Sequence, residues 1–282
     1  TSGVTVFADR VDAVIDKPYL ALGADLSPQE QMTVLSLLGL SDINVDDYDI
    51  ISITNADEHE YLDKYLDASI IGTRALSSVL VVGKEAGNGI HVTTKNISYC
   101  TEGMYRNALL TAGIEDADIT VAGPFSISGT AALVGAIKAY ETMTGEEIDD
   151  ENLDAANDEL VLTGKLVEDI GDSEKAEDLM ALVKQEVAEN KLTSAEDIQN
   201  VVDQACDQLD IQLSEENQKQ IAELMKKIEG LDLDVDKLKD QAKDLYQKLE
   251  DLDFHVDKES VGNFFTRIID AIVNFFQGLF GK

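Results

Sequence analysis

The segment 123–130 carries the residues best placed for chemistry, because it joins a predicted strand to a predicted helix. It reads Gly-Pro-Phe-Ser-Ile-Ser-Gly-Thr. The first N–H groups of a helix lack intrahelical partners and attract anions, and α/β folds bind ligands where strands end before helices. We therefore predict an anion- or ligand-binding turn at Ser126, Ser128, Gly129 and Thr130. The competing interpretation is a tight turn with Ser128 as helix cap, since the lysine and the spacing of a phosphate-binding loop are missing.

The two cysteines are a weaker candidate for chemistry. Cys100 stands just before a helix predicted to begin near Thr101, and a helix N-terminus lowers the pKa of a thiol. His91 lies on a predicted strand, but no third group is visible that would orient it as a base. We interpret Cys100 and His91 as structural. Cys206 lies in the other predicted part of the chain, and a chain of this length does not need a disulfide between the two cysteines.

The acidic clusters do not form a predicted metal site. In Asp57-Glu58-His59-Glu60, adjacent side chains would point in different directions from a helix, and the sequence has no HExxH or paired CxxC motif. The run Asp232-x-Asp234-x-Asp236 resembles the start of an EF-hand loop. Lysine stands at loop positions six and twelve, however, where glycine and glutamate are needed. We predict no cofactor and no metal, beyond weak binding of Ca²⁺ at the acidic surface.

The segment 261–280 is the strongest physical signal in the sequence. At about 100° per residue, its apolar side chains fill one half of a helical wheel and its polar side chains the other. Such a face needs cover from the protein's own body, a second copy or a membrane interface. We favour a protein surface, because the polar half lacks the Lys/Arg band of membrane-surface helices. The predicted interaction helix presents Phe264, Phe265, Ile268, Ile269, Ile272, Phe275, Phe276 and Phe280.

The elements around the turn alternate between β and α patterns. We predict strands at 48–53, 79–82, 90–97 and 117–122, and helices at 57–66, 102–112 and 129–143. Ser27, Pro28 and Glu30 are typical of a capping box at the start of a further helix. The second and third strands flank Asn88-Gly89, a hairpin turn signal, so we expect them to pair directly. This order predicts a mixed sheet with helices packed on it.

Beyond Gly145 the sequence becomes helical and strongly charged. Apolar residues at helical spacing predict helices near 150–169, 173–190, 194–209, 214–229 and 236–251. A unit of the form Leu-Asp-x-x-aliphatic-(Ser/Asp) starts at residues 209, 231 and 252 and ends each time in an N-cap oxygen. One continuous coiled coil is the alternative, but Gly230 and the aspartates after it favour separate helices.

These patterns predict an α+β protein in several parts. A mixed-sheet α/β front domain spans 9–145, an acidic multi-helix domain spans 146–256, and a C-terminal amphipathic helix spans 257–282. Residues 1–8 are predicted to be a signal-peptide remnant, because Val6-Phe7-Ala8 fits a signal-peptidase site and acidic sequence starts at Asp9. The competing interpretation of these residues is a first strand.

Charge and hydropathy limit the partners. The formal net charge is −34, and both halves of the chain are acidic. Such a surface repels the phosphates of nucleic acids and anionic membranes, so we expect no nucleic-acid partner. No uninterrupted apolar run reaches the roughly 18 residues that a membrane-spanning helix needs.

Two stretches resemble a known family. Residues 20–31, Leu-Ala-Leu-Gly-Ala-Asp-Leu-Ser-Pro-Gln-Glu-Gln, with Val-Leu-Ser-Leu-Leu-Gly at 34–39, resemble the opening of the YpuA-like family of exported Gram-positive bacterial proteins. Ser-Gly-Thr-Ala-Ala-Leu at 128–133 resembles the same family ahead of a helix. The family is uncharacterised, so the resemblance implies export and supplies no active site.

Together these features predict a secreted or cell-envelope-associated interaction protein without catalytic activity. Its partner would be a protein or a cell-wall component, with self-association or peripheral membrane contact through 261–280 as further modes. The alternative is a hydrolase acting on an envelope polymer, with its cleft near the turn between Gly123 and Thr130. A deep pocket there, lined by Asp, Glu, His or Cys from elsewhere in the chain, would favour the hydrolase.

Overall fold

A computed structural model of the chain describes residues 17–231, together with Leu233 and Leu238. Its front part is built on five strands: β1 (Tyr19–Gly23), β2 (Asp49–Ile53), β3 (Ser78–Gly83), β4 (Ile90–Ile97) and β5 (Ala117–Ile127). The strand order is β2-β1-β3-β5-β4. β1 pairs in parallel with β2, β4 pairs in parallel with β5, and β3 is antiparallel to both of its neighbours. The carboxyl ends of the four parallel strands and the start of β3 therefore meet at one edge of the sheet.

Helices cover both faces of this sheet. They are α1 (Pro28–Leu37), α2 (Asn55–Leu62), α3 (Ala68–Ile71), α4 (Glu102–Thr111) and α5 (Thr130–Thr144), with a 3₁₀ turn at Val45–Asp47. α1 packs Val34 and Leu38 against Leu20 of β1 and Ala122 of β5 on one face. The main core lies on the other face, under α2 to α5. The predicted capping box of α1 is confirmed, because Ser27 accepts from the backbone of Glu30 and Glu30 accepts from the backbone of Ser27.

The predicted hairpin between β3 and β4 is wrong. β5 lies between these two strands, pairing with β3 through Val79 and Val121 and with β4 through Val92 and Ile119. The segment around Asn88 does turn, with glycines at positive φ on both sides of it. It does not bring the flanking strands together, because β5 is inserted between them, with β4 at the edge of the sheet.

The second part of the described chain is helical. It contains α6 (Asp150–Ile170), α7 (Ser173–Asn190), α8 (Ala195–Leu209) and α9 (Glu215–Glu229), which confirms four predicted helices. Their apolar faces form a separate core cluster. The repeated unit at 209 ends as predicted, since Ser214 is the N-cap of α9 and accepts from the backbone N–H of Asn217. The predicted helix at 236–251 and the amphipathic helix at 257–282 lie outside the described residues.

A buried ion pair joins the two parts. The Lys184 ammonium on α7 lies 2.8 Å from Glu159 on α6, and both side chains are fully buried. The same ammonium donates to the carbonyl of Asn107 at 3.0 Å and to the hydroxyl of Thr111 at 3.2 Å, both on α4 of the front part. The α+β fold class is thus confirmed, with a mixed sheet followed by packed helices. The division into domains at residue 145 stays a prediction.

Among residues 17–231, Leu233 and Leu238, no helix is both long enough and apolar enough to cross a membrane.

Candidate functional site

A cleft of about 570 Å³ opens at the edge of the sheet where the parallel strands end. Its walls come from four places that are distant in sequence: α2, the segment from α3 to β3, the loop after β4, and the junction from β5 to α5. Open α/β sheets bind ligands at this edge, because chain reversals there leave polar backbone and side chains around a gap. All four residues of the predicted ligand turn line it, namely Ser126, Ser128, Gly129 and Thr130.

An irregularity in β5 shapes one wall of the cleft. The Lys95–Ala122 pair and the Ile97–Ile127 pair are two residues apart on β4 but five residues apart on β5. The extra residues of β5 leave the regular ladder, so the predicted turn is the bulged end of a strand that continues to Ile127. Phe125 lies in this bulge, lines the cleft and is 48% exposed. Bulges re-aim side chains beside functional sites, and this one turns an aromatic ring toward solvent.

A strained residue on β4 holds the bulge in place. Asn96 stands opposite the extra residues and has a φ of 59°, an uncommon conformation for a residue with a side chain. Its side-chain amide donates to the carbonyl of Gly123 at 3.1 Å. Strain of this kind persists only where the surrounding contacts enforce it, and it occurs often at ligand sites.

Glu58 of α2 forms part of the cleft floor. The residue is 1% exposed and lies against the first residue of α5. Thr130 donates its hydroxyl to one carboxylate oxygen at 2.7 Å, and the Asn55 side-chain amide donates to the other at 3.0 Å. Burial raises the pKa of the Glu58 carboxyl, and these hydrogen bonds only partly oppose that shift. Among the described residues, no lysine, arginine or histidine forms an ion pair with it.

The start of α5 is built differently from the predicted serine cap. The N-cap is Gly129, at φ 93°, and no side chain caps this position. Its carbonyl accepts from the buried Tyr105 hydroxyl at 2.6 Å, while Ser77 accepts from the backbone N–H of Ala132 at 2.8 Å. Ser128 instead lies 3.4 Å from the Thr130 hydroxyl. With Glu58 beside it, this helix N-terminus already has an anion as neighbour, which makes it a poor place for a second one.

Arg74 stands at the rim on the opposite wall. Its guanidinium donates to Glu30 at 2.8 Å and to the carbonyl of Asp25 at 3.0 Å. The positive charge of Arg74 is therefore balanced by Glu30, which does not line the cleft. The rest of the polar lining consists mostly of hydroxyl groups. These are the side chains of Ser69, Thr73, Ser77, Ser98, Ser126, Ser128 and Thr130, with Tyr99 beside them.

Cys100 and His91 do not form a reactive pair. Cys100 is buried, and burial raises the pKa of its thiol to about 12, the opposite of the effect expected from a helix N-terminus. Thr101, not Cys100, caps α4. His91 is exposed, and its Nε2 lies 2.9 Å from the carbonyl of Asn88. Both cysteines are free thiols, and burial also raises the pKa of Cys206, to about 11.

The acidic run at 57–60 serves three different purposes. Asp57 caps α2 together with Thr54 and pairs with Lys138 of α5 at 2.7 Å. Glu58 faces the cleft, and His59 lies 2.6 Å from Asp63 on the exposed side. No group of three His, Cys, Asp or Glu side chains across the described part of the chain is arranged to hold a metal ion. The absence of a resident metal or cofactor stays a prediction.

Sequence reasoning missed Glu58 and Phe125 as cleft residues. The sequence pattern around Glu58 was weighed above only as a metal site, and Phe125 falls within the predicted turn at 123–130. One available signal was the proximity of the 57–60 run to the end of a predicted strand, since such positions reach the same edge as the predicted turn. The interaction helix from Phe264 to Phe280 lies outside the described residues.

Comparison with known proteins supplies the family. The model of a family described as "Protein of unknown function (DUF1002)" matches residues 22–245. A Bacillus subtilis (strain 168) protein described as "Uncharacterized protein YpuA" is 39% identical over 271 residues, covering 94% of this chain and 92% of that protein. No solved structure matches the chain. The resemblance found in residues 20–39 and 128–133 is confirmed, and the chain belongs to the DUF1002 family, together with YpuA-like proteins.

Proposed function

We propose that the chain is an exported, non-catalytic binding protein that takes a small polar ligand into the cleft at the β5–α5 junction. The cleft itself carries this proposal. Its volume of about 570 Å³ falls in the usual range of ligand pockets, roughly 300 to 1,000 Å³. It combines apolar side chains such as Ile71 and Leu76 with many hydroxyl groups and one carboxyl group. The strained Asn96 and the bulge beside it are features that a purely structural strand end does not need.

Glu58 of α2 supplies the carboxyl from elsewhere in the chain that would favour a hydrolase, but the other polar groups of the cleft favour binding over catalysis. Glu58 is the one carboxylate that lines it among the described residues, whereas glycoside hydrolysis ordinarily uses a pair of carboxylates. Ser128 and Ser77 make hydrogen bonds to Thr130 and to the backbone of Ala132, and neither contacts a base. A serine without a base is a weak nucleophile but a good hydrogen-bonding group for a ligand.

Export and the interaction helix belong to the same proposal on sequence grounds. The Val6-Phe7-Ala8 pattern supports release from the cytoplasm. The apolar face from Phe264 to Phe280 supports contact with a protein, a wall component or a membrane. Binding of the full chain to liposomes and to cell walls, compared with a chain ending at Asp257, tests that face. Equal binding by both chains would remove it from the proposal.

Nuclear magnetic resonance of the full chain tests the cleft. Fractions of a soluble cell-envelope digest are added to ¹⁵N-labelled protein, and we expect the amide signals of residues 98–99 and 126–130 to shift. Ser126→Trp, which fills the exposed mouth, should abolish the shifts. Ser36→Trp, an equally exposed serine on α1 across the sheet, is the matched control and should retain them. Shifts that occur elsewhere, or that survive Ser126→Trp, would contradict the proposal.

A hydrolase acting on an envelope polymer is the second candidate. One observation favours it: a carboxyl with a raised pKa in a cleft has the character of a general acid. The same digest fractions, analysed by mass spectrometry after incubation, separate the two functions. Binding alone leaves the masses unchanged. Hydrolysis adds the mass of water, divided between two shorter products, and Glu58→Gln would stop it.

A further inference from the structure

Glu58 is a buried carboxyl that forms no ion pair among the described residues, and its chain neighbour His59 is paired with Asp63. Its partners are two neutral donors, Asn55 and Thr130, although a carboxylate offers about four acceptor positions. An ionised group buried in this way is costly unless a cation or further donors reach it. Lys138 of α5 forms an ion pair with Asp57 and so does not supply a charge to Glu58. The missing positive charge is therefore one that a ligand can bring.

The surroundings of Glu58 select against an anionic ligand. The carboxylate lies at the N-terminus of α5, where it occupies the place that an anion would take. Arg74 at the rim is matched by Glu30, so it adds little net positive charge. The whole chain carries a net charge of −34. A buried negative charge at the floor of the cleft therefore attracts an ammonium group.

The remaining lining describes the rest of the ligand. Ser126 offers a hydroxyl group that can both donate and accept hydrogen bonds. The hydroxyls of Ser69, Ser98 and Ser128 add acceptor positions, since they already bond to Asp67, the carbonyl of Ile127 and Thr130. The exposed Phe125 ring offers a flat apolar face at the mouth. A sugar matches this lining, because its ring carries hydroxyl groups around its edge and apolar C–H groups on its faces.

We propose that the cleft recognises an amino sugar with a free amine, whose ammonium faces Glu58 while its ring stacks on Phe125. This inference rests on the proposed binding function and names its ligand class. Glu58 sets the preference for the charged amine over the neutral acetamide. Phe125 contributes to the binding of both forms, because its ring contacts the sugar and not the amine.

Isothermal titration of the full chain tests the inference with two probes, a glucosamine tetrasaccharide and an N-acetylglucosamine tetrasaccharide. At pH 6, where sugar amines are protonated, we expect the free-amine oligomer to bind at least tenfold more tightly. Glu58→Gln should remove this preference. Glu60→Gln, which removes one exposed charge from the same helix, should keep it. Phe125→Ala, a change at an exposed ring, should weaken both probes by a similar factor.

Equal binding of the two tetrasaccharides, binding of neither, or a preference that survives Glu58→Gln would overturn the inference. Added salt gives a readout on the unmodified chain, since the preference should shrink as the field of Glu58 is screened. If digest fractions shift the cleft signals but the free amine gives no advantage, the ligand class alone is wrong. If no fraction and neither tetrasaccharide shifts those signals, the binding function fails as well.

Discussion

At the scale of single residues, two buried carboxyls show two ways of holding a charge inside this protein. Glu159 is paired with Lys184, and the pair is completed by Thr111 and the carbonyl of Asn107. Glu58 accepts hydrogen bonds from the neutral side chains of Asn55 and Thr130, and burial raises the pKa of its carboxyl by more than these bonds and the charge of His59 lower it. The pair of Glu159 and Lys184 supports the fold. The buried Glu58 carboxyl lowers the free energy of unfolding at neutral pH, and in the proposed function it contacts a ligand.

Glu58→Gln should stabilise the protein at neutral pH. Below the ordinary carboxyl pKa of 4.5, Glu58 is protonated in both the folded and the unfolded chain. As the pH rises, the unfolded chain loses this proton first, so the folded state binds more protons and the free energy of unfolding falls. Glutamine does not titrate. Urea unfolding at pH 4 and pH 7 should show the stability difference, variant minus parent, growing with pH; a constant or shrinking difference would contradict the raised pKa.

The two thiols should be inert in the native protein. Burial raises the pKa of Cys100 to about 12 and that of Cys206 to about 11, so almost no thiolate exists at neutral pH. We expect no rapid reaction of the folded chain with a thiol reagent such as DTNB at pH 7.5, and two thiols to react in concentrated urea. Rapid native labelling of Cys100, identified by peptide mapping, would show that the segment before α4 opens.

At the scale of elements, the junction between β5 and α5 decides the shape of the cleft. The bulge displaces Phe125 and Ser126 from the ladder, and Gly129 then turns the chain into α5. A Cβ atom on Gly129 would collide with the Tyr105 hydroxyl and lie 2.7 Å from Ile97. Glycine is required here for two reasons, a positive φ and a close approach by neighbouring side chains.

Gly129→Ala should cost more stability than Gly145→Ala, which makes the same change at the other end of α5. Gly145 also has a positive φ, of 68°, but a Cβ there meets nothing within 4 Å. Both variants strain the backbone by about 1 kcal/mol, and Gly129→Ala adds an overpacking cost of about 1–3 kcal/mol. Chemical denaturation measures both. Equal losses would mean that Tyr105 and Ile97 yield freely and that the start of α5 is not rigid.

At the scale of the whole molecule, the helical part is fixed to the sheet part by apolar side chains of α6, including Ala156 and Leu160, that belong to the main core. Charged and polar contacts at the junction add to this packing. Lys184 connects α7 with α6 and with two groups on α4. At a second place, the Tyr65 hydroxyl donates to Asp154, and Lys227 of α9 bridges Asp154 and Asp158. The second contact is more exposed, so it is worth less than the buried one. We expect the two parts to unfold together because the buried contact spans both.

Lys184→Met should destabilise the protein by about 3–5 kcal/mol, because it leaves Glu159 charged and unpaired in the interior. The double variant Lys184→Met with Glu159→Leu should recover much of that loss, since no buried charge remains. Urea unfolding, followed by circular dichroism and by tyrosine fluorescence, measures both variants. A double variant that is less stable than Lys184→Met would contradict the explanation that the unpaired charge of Glu159 causes the loss. Two separate transitions in the parent chain would contradict joint unfolding.

The helices of this protein were largely predictable, because their signals are local. Ser27 with Glu30 and Ser214 with Asn217 form the expected caps, and four helices beyond residue 145 follow the apolar spacing. β1 was missed, since its five residues, Tyr-Leu-Ala-Leu-Gly, show no alternation that separates a buried strand from a helix start. The four residues of the predicted ligand turn do line the cleft, because a strand followed by a helix marks the edge at which such folds bind ligands. Their role in binding stays a prediction.

The sequence by itself determined most of the helices, the acidic charge and the family, because each depends on residues close together in the chain or on composition. The helix predicted at 57–66 instead spans Asn55–Leu62. Only the tertiary structure decided that β5 separates β3 from β4, since strand pairing is set by long-range burial. It also decided that Cys100 is buried and that Glu58 meets Thr130, 72 residues away, at the floor of a cleft. The chemistry of the candidate site lies in that meeting, because a carboxyl acquires its raised pKa from what surrounds it and not from its sequence neighbours.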